Sequence, residues 1–225
     1  MAEDPIVLCE GNDDAAFFTQ LIRFRELRSL DVRAPTREDH AGHSGFGRRM
    51  VALKTETDIE NTPAIIIVRD CNADPGSAFR SLVVQIRESG GYGVPDAPRR
   101  LARSQGRMLP PICVLMLPWD NQPGALETLC YESAAARRPE IAECVDSYVR
   151  CVQFDIEAWG TVKHDKFRLR CLLSAACPSE PNTALRYAWS GDKGRPTDLV
   201  PLGHRCFDEI ANFLAGFDRT LEARF

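Results

Sequence analysis

Two apolar runs in this chain of 225 residues end on carboxylates, each just ahead of a segment suited to start a helix. Val7-Leu8-Cys9 runs into Glu10-Gly11-Asn12-Asp13-Asp14, and Ile65-Ile66-Ile67-Val68-Arg69 runs into Asp70-Cys71-Asn72-Ala73-Asp74. Carboxylates that converge repel one another, and a hard divalent cation taking oxygen ligands, Mg²⁺ or Mn²⁺, is their natural neutraliser. Glu10, Asp14, Asp70, Asn72 and Asp74 are the candidate ligands on these two stretches. A further acid, Glu127, follows Gly124 and Leu126, and Lys163 and Lys166 come later on a segment with helical spacing. Glu10 and Asp70, each at the end of an apolar run, are the core of this candidate site.

Each of these residues also has a plainer use. Asp14 and Asp74 stand where a helix N-terminus wants a capping acid. Asn72 suits a turn, Glu127 suits the first turn of a helix, and most helical lysines are simply solvated. His40 and His43 form an HxxH with no third ligand nearby. Arg99, Arg100, Arg103 and Arg107 make a basic run that either touches phosphate or faces water. No Walker loop, GxGxxG or Ser-His-Asp arrangement is present. The nine cysteines form no CxxC pair, and their odd number fits poorly with a complete disulfide framework. Their spacing argues against zinc, and a reducing cytosol is the simple reading.

The elements that must position these groups follow from hydrophobic pattern. Strands are predicted at Pro5–Cys9, Leu30–Arg33, Pro63–Val68 and Pro111–Leu117. Helices are predicted over about Asp14–Leu27 (with Phe17, Leu21, Phe24 and Leu27 as its inner stripe), Phe46–Lys54, Ser77–Ser89, Gly124–Ala134, Glu140–Phe154 and Trp159–Ala176. A last amphipathic helix is predicted over His204–Leu221, with Phe207, Ile210, Phe213, Leu214 and Phe217 on one face. Alternation of strand and helix predicts an α/β sheet with helices on both faces. In such a sheet functional groups gather outside the carboxyl ends of the strands. A hydrophobic content of 44% supports one core, so residues 1–225 are read as a single domain with a helical extension from about 140 to 225. No apolar run reaches the roughly 18–20 residues of a membrane span, and the acidic start is not a signal peptide. The chain is therefore expected in the cytoplasm. Its net charge of −4 argues against strong non-specific DNA binding.

The order of these motifs resembles the Toprim family, in which a strand ends in Glu-Gly with a nearby Asp and a second strand ends in Asp-x-Asp. Glu10-Gly11 with Asp13 or Asp14 matches the first part. Asp70 matches the second, with Asn72 at the next motif position and Asp74 two residues later. The resemblance extends to the branch related to OLD-family (overcoming lysogenisation defect) nucleases, through the Leu117-Pro118 strand end, Gly124-x-Leu126-Glu127 and the lysine-bearing segment with Lys166. It implies a Toprim-like Rossmannoid sheet, a Mg²⁺ or Mn²⁺ site that Glu127 helps complete, and a metal-dependent nuclease cleaving phosphodiester bonds of DNA or RNA, with Glu10, Asp70 and Lys166 as its catalytic residues. It also implies an effector of anti-phage defence working with a separate ATPase partner. The alternative is a non-catalytic interaction or regulatory module of an ATPase complex, and a third reading is phosphoryl transfer on a small molecule. The chain lacks room for the accessory domains of a topoisomerase or primase.

Overall fold

Four short strands pair in parallel in the order β2-β1-β3-β4. They are β1 (Ile6–Leu8), β2 (Asp31–Arg33), β3 (Ile65–Asp70) and β4 (Ile112–Leu117). The structure, a computed structural model, describes residues 4–36, 45–104, 109–119, 121–152, 156–192 and 195–222. β1 and β4 are buried along their whole length and β3 as far as Val68. Both faces of a parallel sheet are covered, so its inner strands read as unbroken apolar runs rather than alternating ones. The edge strand β2 is half-exposed and polar.

Alternate side chains feed two separate apolar layers. Val7, Ile66, Val68, Cys113 and Leu115 face the layer built with α1 (Asn12–Phe24) and the C-terminal helices. Ile6, Leu8, Ile65, Ile67, Val114 and Met116 face α2 (Gly45–Leu53) and α3 (Pro75–Ser89). This is a Rossmann-like α/β sheet flanked by helices, as the alternation predicts. The chain leaves β1 for the outer strand β2, then returns to place β3 on the other side of β1. The strand order therefore reverses between β1 and β3, where an open sheet forms its binding crevice.

The C-terminal half comprises α4 (Leu126–Arg137), α5 (Pro139–Cys151), α6 (Ile156–Ala176), α7 (Asp208–Ala215) and α8 (Phe217–Glu222). Its Leu172, Phe207, Ile210, Leu214 and Phe217 share one apolar cluster with Val7 and Ile66 of the sheet.

Three predicted elements differ in detail. α1 ends at Phe24, because Glu26 takes a positive φ of 51° and turns the chain. Phe24 is then 58% exposed, its ring over Gly203 rather than in the core. In α6 a positive φ at Gly160 breaks the helix after Trp159. The final helix is a 3-10 turn (Arg205–Phe207) followed by α7 and α8, interrupted at Gly216. Phe207, Ile210, Leu214 and Phe217 still point inward, and Phe213 packs beside them. His40, His43, Arg107 and residues 153–155 lie outside the described residues. All nine cysteines are free thiols. Among the described residues no helix is long and apolar enough to cross a membrane.

Candidate metal centre

The carboxyl ends of β1 and β3 open into a cavity of about 320 Å³. Glu10, Asp14, Asp70, Glu127 and Lys166 all line it, together with Asp13 and Arg186. Five separate stretches of chain thus meet at the switch point.

Each acid is held by its own element. Glu10 follows β1, half-exposed, and pairs with Arg69 at 2.7 Å. Asp14 sits in the first turn of α1, where its Oδ2 accepts the Gly11 N–H at 2.8 Å. That bond satisfies one of the orphan donors at the helix start. Asp70 ends β3 and is almost enclosed, with Oδ1 accepting the Leu126 N–H at 3.1 Å. Glu127 stands in the first turn of α4. The Lys166 ammonium lies 3.5 Å from Glu127 Oε1 and 3.9 Å from Asp70 Oδ2.

A short relay brings Glu127 and Lys166 face to face. Ala125 donates its N–H to Thr128 Oγ1 at 3.2 Å, and that hydroxyl donates to Asp165 Oδ2 at 2.8 Å. Asp165 is buried, so the relay fixes the register of α4 against α6. The residues beside its two ends are Glu127 and Lys166. Gly124, just before α4, has φ +143°, and a Cβ there would come within 2.8 Å of Thr128 Oγ1 and 3.0 Å of Pro118 Cδ. Only glycine fits this approach.

The clustered charge shows in the titration of the acids. Burial first, then the charges of Glu127 and Glu10, push Asp14 up to about 7 against the opposing Gly11 N–H and Lys166. Burial, with Asp14, Glu127 and Glu10, holds Asp70 well above the usual carboxylate range, and Lys166 relieves it only in part. Burial pulls the Lys166 ammonium down, but Glu127 and Asp70 outweigh it and raise its pKa overall. This is the electrostatic signature of carboxylates brought together without enough counter-charge.

Asn72 and Asp74 do not line this cavity, which corrects their expected place as ligands. Asn72 adopts φ +54°, a conformation that asparagine tolerates. Its backbone exchanges two hydrogen bonds of 2.8 Å with Gly124, and its side-chain amide donates to the Asp70 carbonyl at 3.3 Å. It therefore ties the loop after β3 to the loop before α4. Asp74 is an exposed N-cap whose Oδ1 accepts the Ser77 N–H at 3.0 Å, with Pro75 next in the helix. Lys163 lies on the rim of an adjoining groove and not in the acidic cavity. Of the basic run, Arg99 stacks on Trp119, Arg100 pairs with Asp96 and Arg103 contacts the Leu221 carbonyl, all away from the cavity.

Sequence reasoning missed Arg186. It reaches the site because the 3-10 turn Leu185–Tyr187 packs on α1, where Arg186 pairs with Asp13 at 3.3 Å. It also missed a second cluster. Glu132, His204 and Cys206 bring one ligand atom each within 4.8 Å of one another. There burial, with Glu132 and Asp208 adding, pushes the Cys206 thiol up to about 12. His204 Nδ1 already accepts the Cys206 N–H at 3.3 Å. One carboxylate, one imidazole and one thiol make a mixed donor set suited to a softer cation, whereas the cavity at the switch point offers a hard cation oxygen donors.

A Rossmann-like sheet with an acidic cavity at its switch point is the class that fold and site define. The chain belongs to the family described as protein of unknown function (DUF3226), whose model matches residues 4–214. No curated protein and no solved structure matches it.

Proposed function

We propose that this protein is a metal-dependent phosphodiester hydrolase, a nuclease, whose centre is the cavity between β1 and β3. One observation carries the reading: Glu10, Asp14, Asp70 and Glu127 converge with Lys166 on one cavity, and two of the acids have strongly raised pKa values. Acids under such repulsion are a ready site for a hard cation, and their all-oxygen donor set fits Mg²⁺ or Mn²⁺. Glu10, Asp14, Asp70 and Glu127 would hold it, and the metal would supply an activated water and Lewis-acid stabilisation of the phosphoryl oxygens. Lys166, protonated and half-exposed, is aimed to hold a non-bridging phosphate oxygen as charge builds there. Arg186 stands at the mouth of the same cavity, restrained by Asp13. The Toprim resemblance of Glu10-Gly11, Asp70, Gly124-x-Leu126-Glu127 and Lys166 supports the same chemistry. With it come a cytoplasmic setting, DNA or RNA as substrate, a separate ATPase partner and a role in anti-phage defence, all parts of this proposal.

A second reading has its own support. Lys166 already sits between Asp70 and Glu127 as a built-in cation, which suits a metal-free interaction module of an ATPase complex. Calorimetric titration with Mn²⁺ and cleavage assays on DNA and RNA separate the two. The nuclease reading expects Mn²⁺ binding and cleavage that Asp70→Ala and Glu10→Ala each abolish. Cleavage that persists in both variants would remove the site. Absence of Mn²⁺ binding at millimolar metal would favour the module.

A further inference from the structure

The acidic cavity does not stand alone. It opens, across Asp13, Glu127, Lys166 and Arg186, into a groove of about 630 Å³. The two compartments differ in chemistry. Beyond the shared wall the groove is lined by Lys163, Arg170, Trp159 and Phe167, with Leu173 and Leu185 in its floor. Lys163, Lys166, Phe167 and Arg170 recur at intervals of three and four, so they share one face of α6 after Gly160. Trp159 meets Phe167 edge-to-face, with ring centres 5.7 Å apart, and keeps 37% of its surface exposed. Tyr148, outside the groove lining, stacks on Phe167 at 6.2 Å and is 50% exposed. Two rings, Trp159 and Phe167, therefore share the groove with Lys163, Lys166, Arg170 and Arg186, and the groove adjoins the acidic cavity.

We propose that this groove seats a single-stranded nucleic acid. A base stacks against Trp159 and Phe167, its phosphates lie beside Lys163, Arg170 and Arg186, and the next phosphate passes Lys166 into the acidic cavity. This rests on the nuclease reading of that cavity and names its substrate class. Aromatic faces flanked by cations are how proteins hold unpaired strands, because every base has a π-face and every phosphate a charge. A duplex hides its base faces in its own stack. Duplex binding also relies on a broad basic surface, and here the cations form one narrow file beside a floor of carboxylates. The groove's volume, in the range of roughly 300–1,000 Å³ usual for small-molecule sites, suits one or two nucleotides.

The test uses the full chain carrying Asp70→Asn, so that bound strands stay intact, with Mn²⁺ present. Fluorescence anisotropy compares a labelled short single strand with a hairpin duplex of the same length. The single strand is expected to bind about tenfold or more tightly than the duplex, and to quench tryptophan emission. Trp159→Ala and Lys163→Ala each weaken it by about tenfold, while Trp159→Phe recovers most of the loss. Equal affinity for duplex, or unchanged single-strand affinity in a folded Trp159→Ala chain, would overturn the groove. Cleavage of duplex by the wild-type chain alongside either result would leave the nuclease reading standing. Tight single-strand binding without any cleavage by the wild-type chain would leave the groove and remove the nuclease.

Discussion

Asp14 is the residue in which the conflict of the site is concentrated. Its carboxylate caps α1 through Gly11, yet its folded pKa of about 7 lies far above the 3.8 ordinary for an aspartate. The folded chain therefore binds a proton that the unfolded chain has already released. That contribution to stability is complete below about pH 4 and is lost as pH rises through about 7; Asp70 acts in the same direction. The metal-free protein should thus lose on the order of 4 kcal/mol between those limits. Asp14→Asn keeps an acceptor for Gly11 and removes one of the repelling charges. It should raise the melting temperature by several degrees at about pH 7.5, at about 2–4 °C per kcal/mol, and leave it little changed at about pH 4.5. Thermal melts of both chains at the two pH values check this. An unaltered pH dependence in the variant would show that Asp14 is not the group responsible. The same substitution should weaken Mn²⁺ binding, since the charge that destabilises the empty cavity is the charge a cation uses.

Among the elements, the loop before α4 sets the geometry. Asn72 and Gly124 exchange backbone hydrogen bonds, Leu126 binds Asp70, and Thr128 joins Ala125 to Asp165. Gly124→Ala would place a methyl group within 2.8 Å of Thr128 Oγ1 at a backbone angle costly for alanine. It should destabilise the fold by about 2–4 kcal/mol, read by urea denaturation, and should lower Mn²⁺ affinity by shifting Glu127. A variant as stable as the parent, with unaltered metal binding, would mean the loop relaxes freely. This is also where the sequence was least informative. β3 and β4 were plain as apolar runs, and Glu10 and Asp70 stood out because each ends such a run. Asn72 and Asp74 stood equally close to Asp70, but the left-handed turn at Asn72 and the capping bond of Asp74 lead the chain away from the cavity. Neither event has a hydrophobic period to announce it. Glu127 was visible through its Gly-x-Leu-Glu setting. Arg186 was not, because only the packing of a 3-10 turn on α1 brings it to the mouth.

At the scale of the molecule, the C-terminal half is not a detachable addition. Leu169, Leu172, Leu173, Phe207, Ile210, Leu214 and Phe217 share a cluster with Val7, Ile66 and Leu115 of the sheet. A fragment ending at residue 152 would leave that face of the sheet uncovered. It should fail to unfold cooperatively and should bind a dye specific for exposed apolar surface; a sharp melting transition in the fragment would instead show that the sheet and α1 to α5 suffice. The order of the chain adds one more consequence. The four carboxylates lie at positions 10 to 127, whereas Lys166 and Arg186 come afterwards. Chains emerge from the ribosome N-terminal end first, at about 5–20 residues per second. Throughout synthesis, then, the acids precede Lys166, Arg186 and the wall of the groove. The cavity is therefore complete only once residue 186 has been added, so a chain halted before that point carries the crowded acids without Lys166 and Arg186 to meet them.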